Sequence, residues 1–599
     1  MIEPKISHSA HAMPRISFRI LSSLILGAAP PLAAQTFPTD DPVIKRIYAV
    51  GMDSSHLQIE AHVLFDSLGP RLMGTPNLKR ADDWLVATYK SWGVDAKEER
   101  YGTWRGWERG HSHIDLVSPR KRTLQGQMVG YSPGTGGKDV TLETIILPRF
   151  KDSTEFVAWL PKARGKLVMI SAGLPSCRPQ DDWAANATPE SKARMDSLMV
   201  ATQREWAPVR VNPNNPSVTG AGAGVRGTGY FAALGGGELG VRLEEGGAAG
   251  IVTSRPKLQW TMGGGRTPEQ FVEQMQNPNA PGRGFGFGGA LNTGWGAMEI
   301  FETYNVKTPA IALDCEDYGL VFRLTESGDK PKLTLNLDGK LLGEQPVYNV
   351  VGSIKGTEHP DEYVMLSAHF DSWDGSSGAT DNGTGTLTML EAMRILREAY
   401  PKPKRTILVG HWSGEEEGEV GSKAFTEDHP EVTKGLQALF NQDNGTGRIR
   451  SINGGGLVHS PEHINDWLGR IPKEFSAQIN GGNPVPSGRP AGGGSDDFSF
   501  GCAGLPAFGL GATPWDYGTV TWHTERDTYD KVVFDDLKYN ATLTAMLAYL
   551  ASEDPTRIPL DRVDLAAQAV RGAGGGRGFG STTWPECEKA PRKTEPRLR

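Results

Sequence analysis

The sequence predicts an α/β protein: a helix-covered, mostly parallel mixed sheet interrupted by a large β-rich insert. Three observations predict it. From residue 340 onward, short apolar segments alternate with amphipathic ones, the pattern of strands and helices in a buried parallel sheet. Three consecutive apolar segments run into acidic or histidine residues, and α/β folds gather functional groups at the C-terminal ends of their strands. Residues 126–339 break the alternation with short apolar strands set between glycine-rich stretches.

Composition sets the bounds. The chain has 599 residues, more than one hydrophobic core usually organises, so two folded domains with tails are expected. The net charge of -7 lacks the basic excess of a nucleic-acid-binding protein. Four cysteines (Cys177, Cys315, Cys502 and Cys587) are widely spaced, with no Cys-x-x-Cys zinc pattern. They leave room for one or two disulfides, and spacing does not pair them.

The elements follow in order. "MPRISFRILSSLILGAAPPLAAQ" (13–35) has basic residues, an apolar run and a small-residue end, the layout of a signal peptide. Its run is too short to favour a membrane span, so an exported protein without stable membrane insertion is expected. "HLQIEAHVLFDSLG" and "NLKRADDWLVATYKSWGV" place apolar residues at helical spacing, with the turn-rich "GPRLMGTPN" between them. In the insert, "GKLVMIS" (165–171), "GAAGIVTS" (247–254) and "TPAIAL" (308–313) read as strands, and "GRGFGFGGALNTGWG" (282–296) as a surface loop. Strand "YVMLSA" then precedes helix "GTLTMLEAMRILREAY", strand "RTILVGHW" precedes helix "SKAFTEDHP", and "LQALFNQD" is a third strand. Helix "FDDLKYNATLTAMLAYLA" (534–551) closes the domain. The expected boundaries are a signal peptide at 1–34, the main domain at 37–125 and 340–556, the insert at 126–339, and a poorly packing tail at 557–599.

The three strand ends carry one set of groups. The first delivers His369, Asp371 and Asp381, the second Glu415, Glu416 and Glu417 in "SGEEEG", and the third Asp443; "WHTERDTYD" adds His523. Carboxylates packed together repel one another and tend to hold protons; a divalent cation removes that penalty. Two imidazoles with several carboxylates suit zinc, and the oxygen ligands also admit manganese or cobalt. Asp381 is placed to bridge two ions, His369 and Asp443 to bind one, and Glu416 and His523 the other. Glu415 is then the base for water, and Asp371 holds the other ring nitrogen of His369. Glu417 is expected as a solvated neighbour, Asp374 as part of a polar turn, and His411, His459 and His463 as structural or exposed.

These pieces ("HFDSWDGSSGATDNGTG", "GEEEGEVGS", "DNGTG", "GGSDDFSF" and "WHTERDTYD") resemble the co-catalytic zinc exopeptidases of clan MH, among them secreted aminopeptidases and carboxypeptidases of the plasma glutamate carboxypeptidase type. The resemblance is good over 340–550 and weaker over 50–125, through "GPRLMGT". It implies the same metal roles, two zinc ions per chain, a cis peptide at Asp381–Asn382, and Ser495 and Asp496 lining the cleft. The insert resembles a protease-associated domain, which implies a lid or a packing module. The implied function is an exported, periplasmic or extracellular exopeptidase of short peptides, read as an aminopeptidase ahead of a carboxypeptidase or dipeptidase. Arg448, Arg450 and Arg489 are the loop cations that could meet a peptide carboxylate. A non-catalytic receptor-like binding protein on the same fold is the other class, and retention of all five ligands and the base argues against it. A two-metal phosphohydrolase lacks an Arg or Lys cluster beside the metal residues. A homodimer is compatible with the sequence.

Overall fold

The computed structural model describes residues 39–148, 150, 153–178, 180–206, 236–255, 303–571 and 582–594. The expected signal peptide and the stretch 282–296 lie outside them. Fourteen strands are described: β1 (Asp95–Ser118), β2 (Arg122–Thr123), β3 (Gly126–Met128), β4 (Val140–Ile146), β5 (Leu167–Met169), β6 (Gly250–Arg255), β7 (Ala310–Asp314), β8 (Lys332–Ile354), β9 (His359–His369), β10 (Arg405–Trp412), β11 (Leu436–Asn441), β12 (Ile449–Ser451), β13 (Ala507–Gly509) and β14 (Gly511–Ala512). Twelve of them form one sheet, in the order β13-β11-β9-β10-β8-β4-β5-β6-β7-β3, with β1 on β8 and β2 on β1.

The sheet has two parallel blocks. β13, β11, β9 and β10 run parallel, as do β4, β5, β6 and β7. β8 joins the blocks, antiparallel to β10 near Ile354 and to β4 near Lys332. β1 follows β8 along nearly its whole length, from Asp95 opposite Ser353 to Ser118 opposite Lys332. The expected boundary at 339/340 therefore falls inside a strand, and Thr39–Arg599 is one compact unit. The insert's own core gathers Phe150, Phe156, Trp159, Leu239, Leu243 and Ile251 between its strands and helices.

β10, β11 and the second half of β9 are largely apolar because both faces are covered; every residue of β10 and β11 is buried, as is β9 from Val364 to His369. On one face lie the helices Thr384–Ala399 and Phe534–Glu553. Residues 384–396 of the first are all buried, which explains its many threonines and alanines: small side chains let it press into the sheet. Its start presses hardest. A Cβ on Gly385 would stand 2.4 Å from the Gln442 carbonyl oxygen, so glycine is needed where this helix meets the end of β11. His411 is a core residue, as expected. It is fully buried beside the Tyr89 hydroxyl at 2.6 Å, and burial pushes its pKa down to about 3, so it stays neutral.

One finding departs from the sequence reading, and another completes it. The described tail does not pack poorly: Cys587 pairs with Cys502, and Arg592 is salt-bridged to Glu427 and Asp428. Glycine and charge content hid a segment held by specific partners rather than by apolar area. The second disulfide joins Cys177 to Cys315, a pairing that spacing left open.

Candidate metal centre

Parallel pairing puts the ends of β9, β10 and β11 side by side: His369 faces Trp412 in register, and Asn441 faces Ser367. The residues just beyond those ends converge. The ligand atoms of His369, Glu415 and Asp443 lie within 4.8 Å of one another, as do those of Asp381, Glu416 and His523. Asp381 faces both groups. Its Oδ1 is 3.5 Å from His369 Nε2 and its Oδ2 is 3.4 Å from His523 Nε2. His369 Nε2 is also 3.2 Å from Asp443 Oδ1 and 3.9 Å from Glu415 Oε2, and His523 Nε2 is 3.0 Å from Glu416 Oε2. The Asp381–Asn382 peptide is cis, as the resemblance implies.

The electrostatics are those of acids crowded out of water. Burial pushes the Glu416 carboxyl well above the ordinary range, with Asp381, Glu415 and Asp371 adding to it and His369 opposing it. Burial raises Glu415 likewise; His369 opposes, while Asp443, Asp496 and Asp371 add. His523 is pushed down to about 4, chiefly by burial, which leaves its imidazole neutral as a ligand must be. Burial works against charge on His369, but Asp443, Glu415 and the other acids outweigh it and raise its pKa. Asp381 Oδ2 and Glu416 Oε1 are buried without a hydrogen-bond partner. Unpaired buried oxygens of this kind are costly, and two imidazoles with four carboxylates are a donor set that a divalent cation completes. The residues fit the metal that the sequence implies.

The structure gives Asp371 a second task beside the one expected. His369 Nδ1 is 3.1 Å from the Asp371 backbone carbonyl, nearer than its carboxylate at 3.6 Å. That carboxylate accepts from the backbone N–H groups of Glu415 and Glu416, at 3.2 and 3.3 Å. Asp371 thus pins the acidic loop through its side chain and the histidine through its main chain. Asp371→Asn is therefore expected to do more than a lost charge would: one amide face would present N–H to N–H. Zinc affinity, measured by chelator competition, should fall about 10–100-fold, the usual loss for an outer partner of a metal site. Affinity equal to wild type would mean that the carboxylate does not hold the loop.

Two more expectations change. Glu417 is half-buried and accepts from Tyr131 Oη at 2.9 Å; the insert supplies that partner, and local sequence cannot show it. Asp374 is buried and ion-paired with Arg109 of β1, so Asp374→Ala would strand a cation at a cost of about 3–5 kcal/mol.

Sequence reasoning missed three supports. Tyr517 Oη donates to Asp381 Oδ1 at 3.0 Å; nothing near it in sequence signals this. Asp527 accepts from the N–H groups of Thr380 and Asp381, at 2.7 and 2.9 Å, and stands in the quoted "WHTERDTYD". Arg71, in "GPRLMGT", is fully buried and donates to the carbonyls of Phe370, Ser377 and Gly378, gathering both ends of the loop that follows β9. His463 pairs with Asp554, and His459 lies beside Glu462. Ser495 Oγ accepts from Asn441, and Asp496 is fully buried. Arg448 pairs with Asp536, and Arg450 lies 3.4 Å from Thr513 Oγ1.

Comparison with known proteins meets this geometry. Residues 349–548 match the model of Peptidase family M28, and the chain carries a domain of that family. Carboxypeptidase Q of Xenopus laevis is 25% identical over 385 residues, 64% of this chain and 63% of that protein. Carboxypeptidase Q of Rattus norvegicus is 22% identical over 384 residues, with the same coverage. The match thus spans less than two thirds of the length of these relatives. A solved Peptidase M28 precursor from Shewanella amazonensis SB2B aligns with TM-score 0.55 at 21% identity, over 86% of this chain and 97% of that one, which shows the shared fold.

Proposed function

We propose that the chain is an exported dinuclear zinc exopeptidase acting on short peptides. The observation that carries the reading is Asp381, whose two oxygens face the two separate ligand groups. His369 and Asp443 would hold one ion, Glu416 and His523 the other, with Asp381 between. Bound ions of this kind polarise a carbonyl and acidify a water. Glu415 then takes the proton of the attacking water and hands it to the leaving amine. Tyr517, donating to Asp381, orients that carboxylate. Export agrees with two disulfides.

The reading is an aminopeptidase. Asp496, fully buried beside His369 and Asp443 and outside both ligand groups, is the spare acid that suits a substrate ammonium, and Arg448 is engaged by Asp536. The second reading, a carboxypeptidase or dipeptidase, is favoured by the carboxypeptidase Q relatives. The insert at 126–339 acts as a protease-associated-type lid; Tyr131, bonded to Glu417 and to the Met73 carbonyl, is its foothold beside the site. The test uses dipeptides and tripeptides with one terminus blocked at a time, before and after chelation. An aminopeptidase loses turnover when the amine is blocked and keeps it when the carboxylate is amidated; the reverse selects the second reading. Full activity in chelator would sink both.

A further inference from the structure

The described tail touches the site's supports from outside. Trp584 Nε1 donates to the carbonyls of Gly501 and Cys502, at 3.2 and 2.9 Å, and the disulfide from Cys587 to Cys502 fixes the same point. Further on, Arg592 bonds Glu427 and Asp428 at 2.8 Å, and its carbonyl accepts from Thr103 N at 2.9 Å. The tail backbone lies directly on β1 there: a Cβ on Gly102 would be 2.2 Å from the Arg592 carbonyl oxygen. Segment 582–594 is thus a strap fastened at both ends.

Between the fastenings Glu588 meets Lys423. The Lys423 side chain is 5% exposed, and its ammonium has three acceptors: Glu588 at 2.8 Å, the Gly418 carbonyl at 3.0 Å and the Glu419 carboxylate at 3.0 Å. An ammonium has three N–H groups, so the strap supplies the last partner of a buried cation. Gly418 and Glu419 close the turn that begins at Glu415, both donating to the Glu415 carbonyl, at 2.7 and 2.9 Å. Glu419 also accepts from Gly494 N at 2.7 Å. A second route reaches the same loop. Arg592 Nη1 donates to the Tyr101 carbonyl at 3.3 Å, and Tyr101 Oη donates to the Ser413 carbonyl at 2.8 Å.

We infer that Lys423 is a positioning residue for the Glu415–Glu416 turn and that the disulfide-fastened strap 582–594 holds it there. The loop following β10 hangs between the Asp371 carboxylate on the inside and Lys423 on the outside. With the strap loose, Lys423 loses one acceptor, and the turn bearing Glu415 and Glu416 gains freedom that a metal ligand and a base should not have. The inference rests on the reading of that turn as metal-bearing.

The two disulfides provide the test, in the full chain. Cys502→Ser/Cys587→Ser undoes the covalent fastening of the strap; Cys177→Ser/Cys315→Ser removes the bridge within the insert and serves as the control. Zinc affinity is read by chelator competition, and kcat and KM on a peptide substrate, well below the unfolding temperature of each variant. The strap variant should bind zinc about 10-fold more weakly, the low end of the loss for an outer support, with kcat lowered and KM unchanged. The control should match wild type in zinc affinity. Equal losses in both variants, or none in either, would overturn the inference. If the strap variant fails to fold, Glu588→Gln with both disulfides intact decides: weakened zinc binding upholds the strap, and wild-type binding overturns it. A wild-type chain that takes up no zinc at all would instead sink the metal reading.

Discussion

Glu415→Gln is expected to cut peptide turnover by about 10²–10⁴-fold, the usual cost of losing a general base, while zinc content stays near that of wild type. The amide keeps the shape and the largely buried position but accepts no proton. The side chain lies 3.9 Å from His369 Nε2, within reach of the first ligand group rather than squarely in it. Glu416→Gln is the contrasting variant. Its carboxylate lies 3.0 Å from His523 and one of its oxygens is buried without a partner, so its loss should appear as lost zinc. Elemental analysis beside kcat separates the two. If Glu415→Gln loses the metal and Glu416→Gln keeps it while losing turnover, the neighbouring roles are exchanged.

Asp381→Ala should release metal from both ligand groups. No other side chain faces both histidines at 3.4–3.5 Å among the described groups, and it is held from three sides: its own N–H by Asp527, Oδ1 by Tyr517, and the following Asn382 side chain by the Gln442 carbonyl. His369→Ala removes one ligand and leaves the Asp381, Glu416 and His523 group intact, so it should weaken one site only. The measurement is zinc per chain after dialysis against graded free zinc. Two ions per chain retained by Asp381→Ala would show that the carboxylate bridges nothing.

Much of the fold and of the candidate site was legible in the sequence, for a definite reason. Strands β10 and β11 and the second half of β9, from Val364, are buried, so their runs are largely apolar, and the charged residues that follow each run stand out against them. His369, Asp381, Glu415, Glu416, Asp443 and His523 were visible because their types are expensive in such places. Tyr517 was not, because an isolated tyrosine is unremarkable anywhere. The task of Asp371 was read only in part: two residues apart on a chain suggests a contact with His369, and the folded loop also turns its carboxylate toward the backbone N–H groups of the turn that follows β10. Asp374 and Glu417 were misread for one cause: their partners lie far off in sequence, Arg109 in β1 and Tyr131 just beyond β3. The tail was misjudged because composition measures apolar area, and this segment is held by a covalent link and by charge.

The long strand β8 has a consequence for how such a chain can change. Gly102 and Thr103 stand opposite Val347 and Pro346 across the β1–β8 ribbon, toward the strands that carry the ligand groups. Everything between them leaves and returns through one pair of neighbouring strands, whose backbones run about 5 Å apart. In topological terms the whole intervening segment is the loop of a hairpin. A two-residue turn closing Thr103 to Pro346 would delete it without altering the pairing of β8 with β10, and a different module could be spliced in at the same rung. Whatever replaces that segment must therefore return a cation to Asp374 and a hydroxyl to Glu417, while the strands that carry the ligand groups keep their own register.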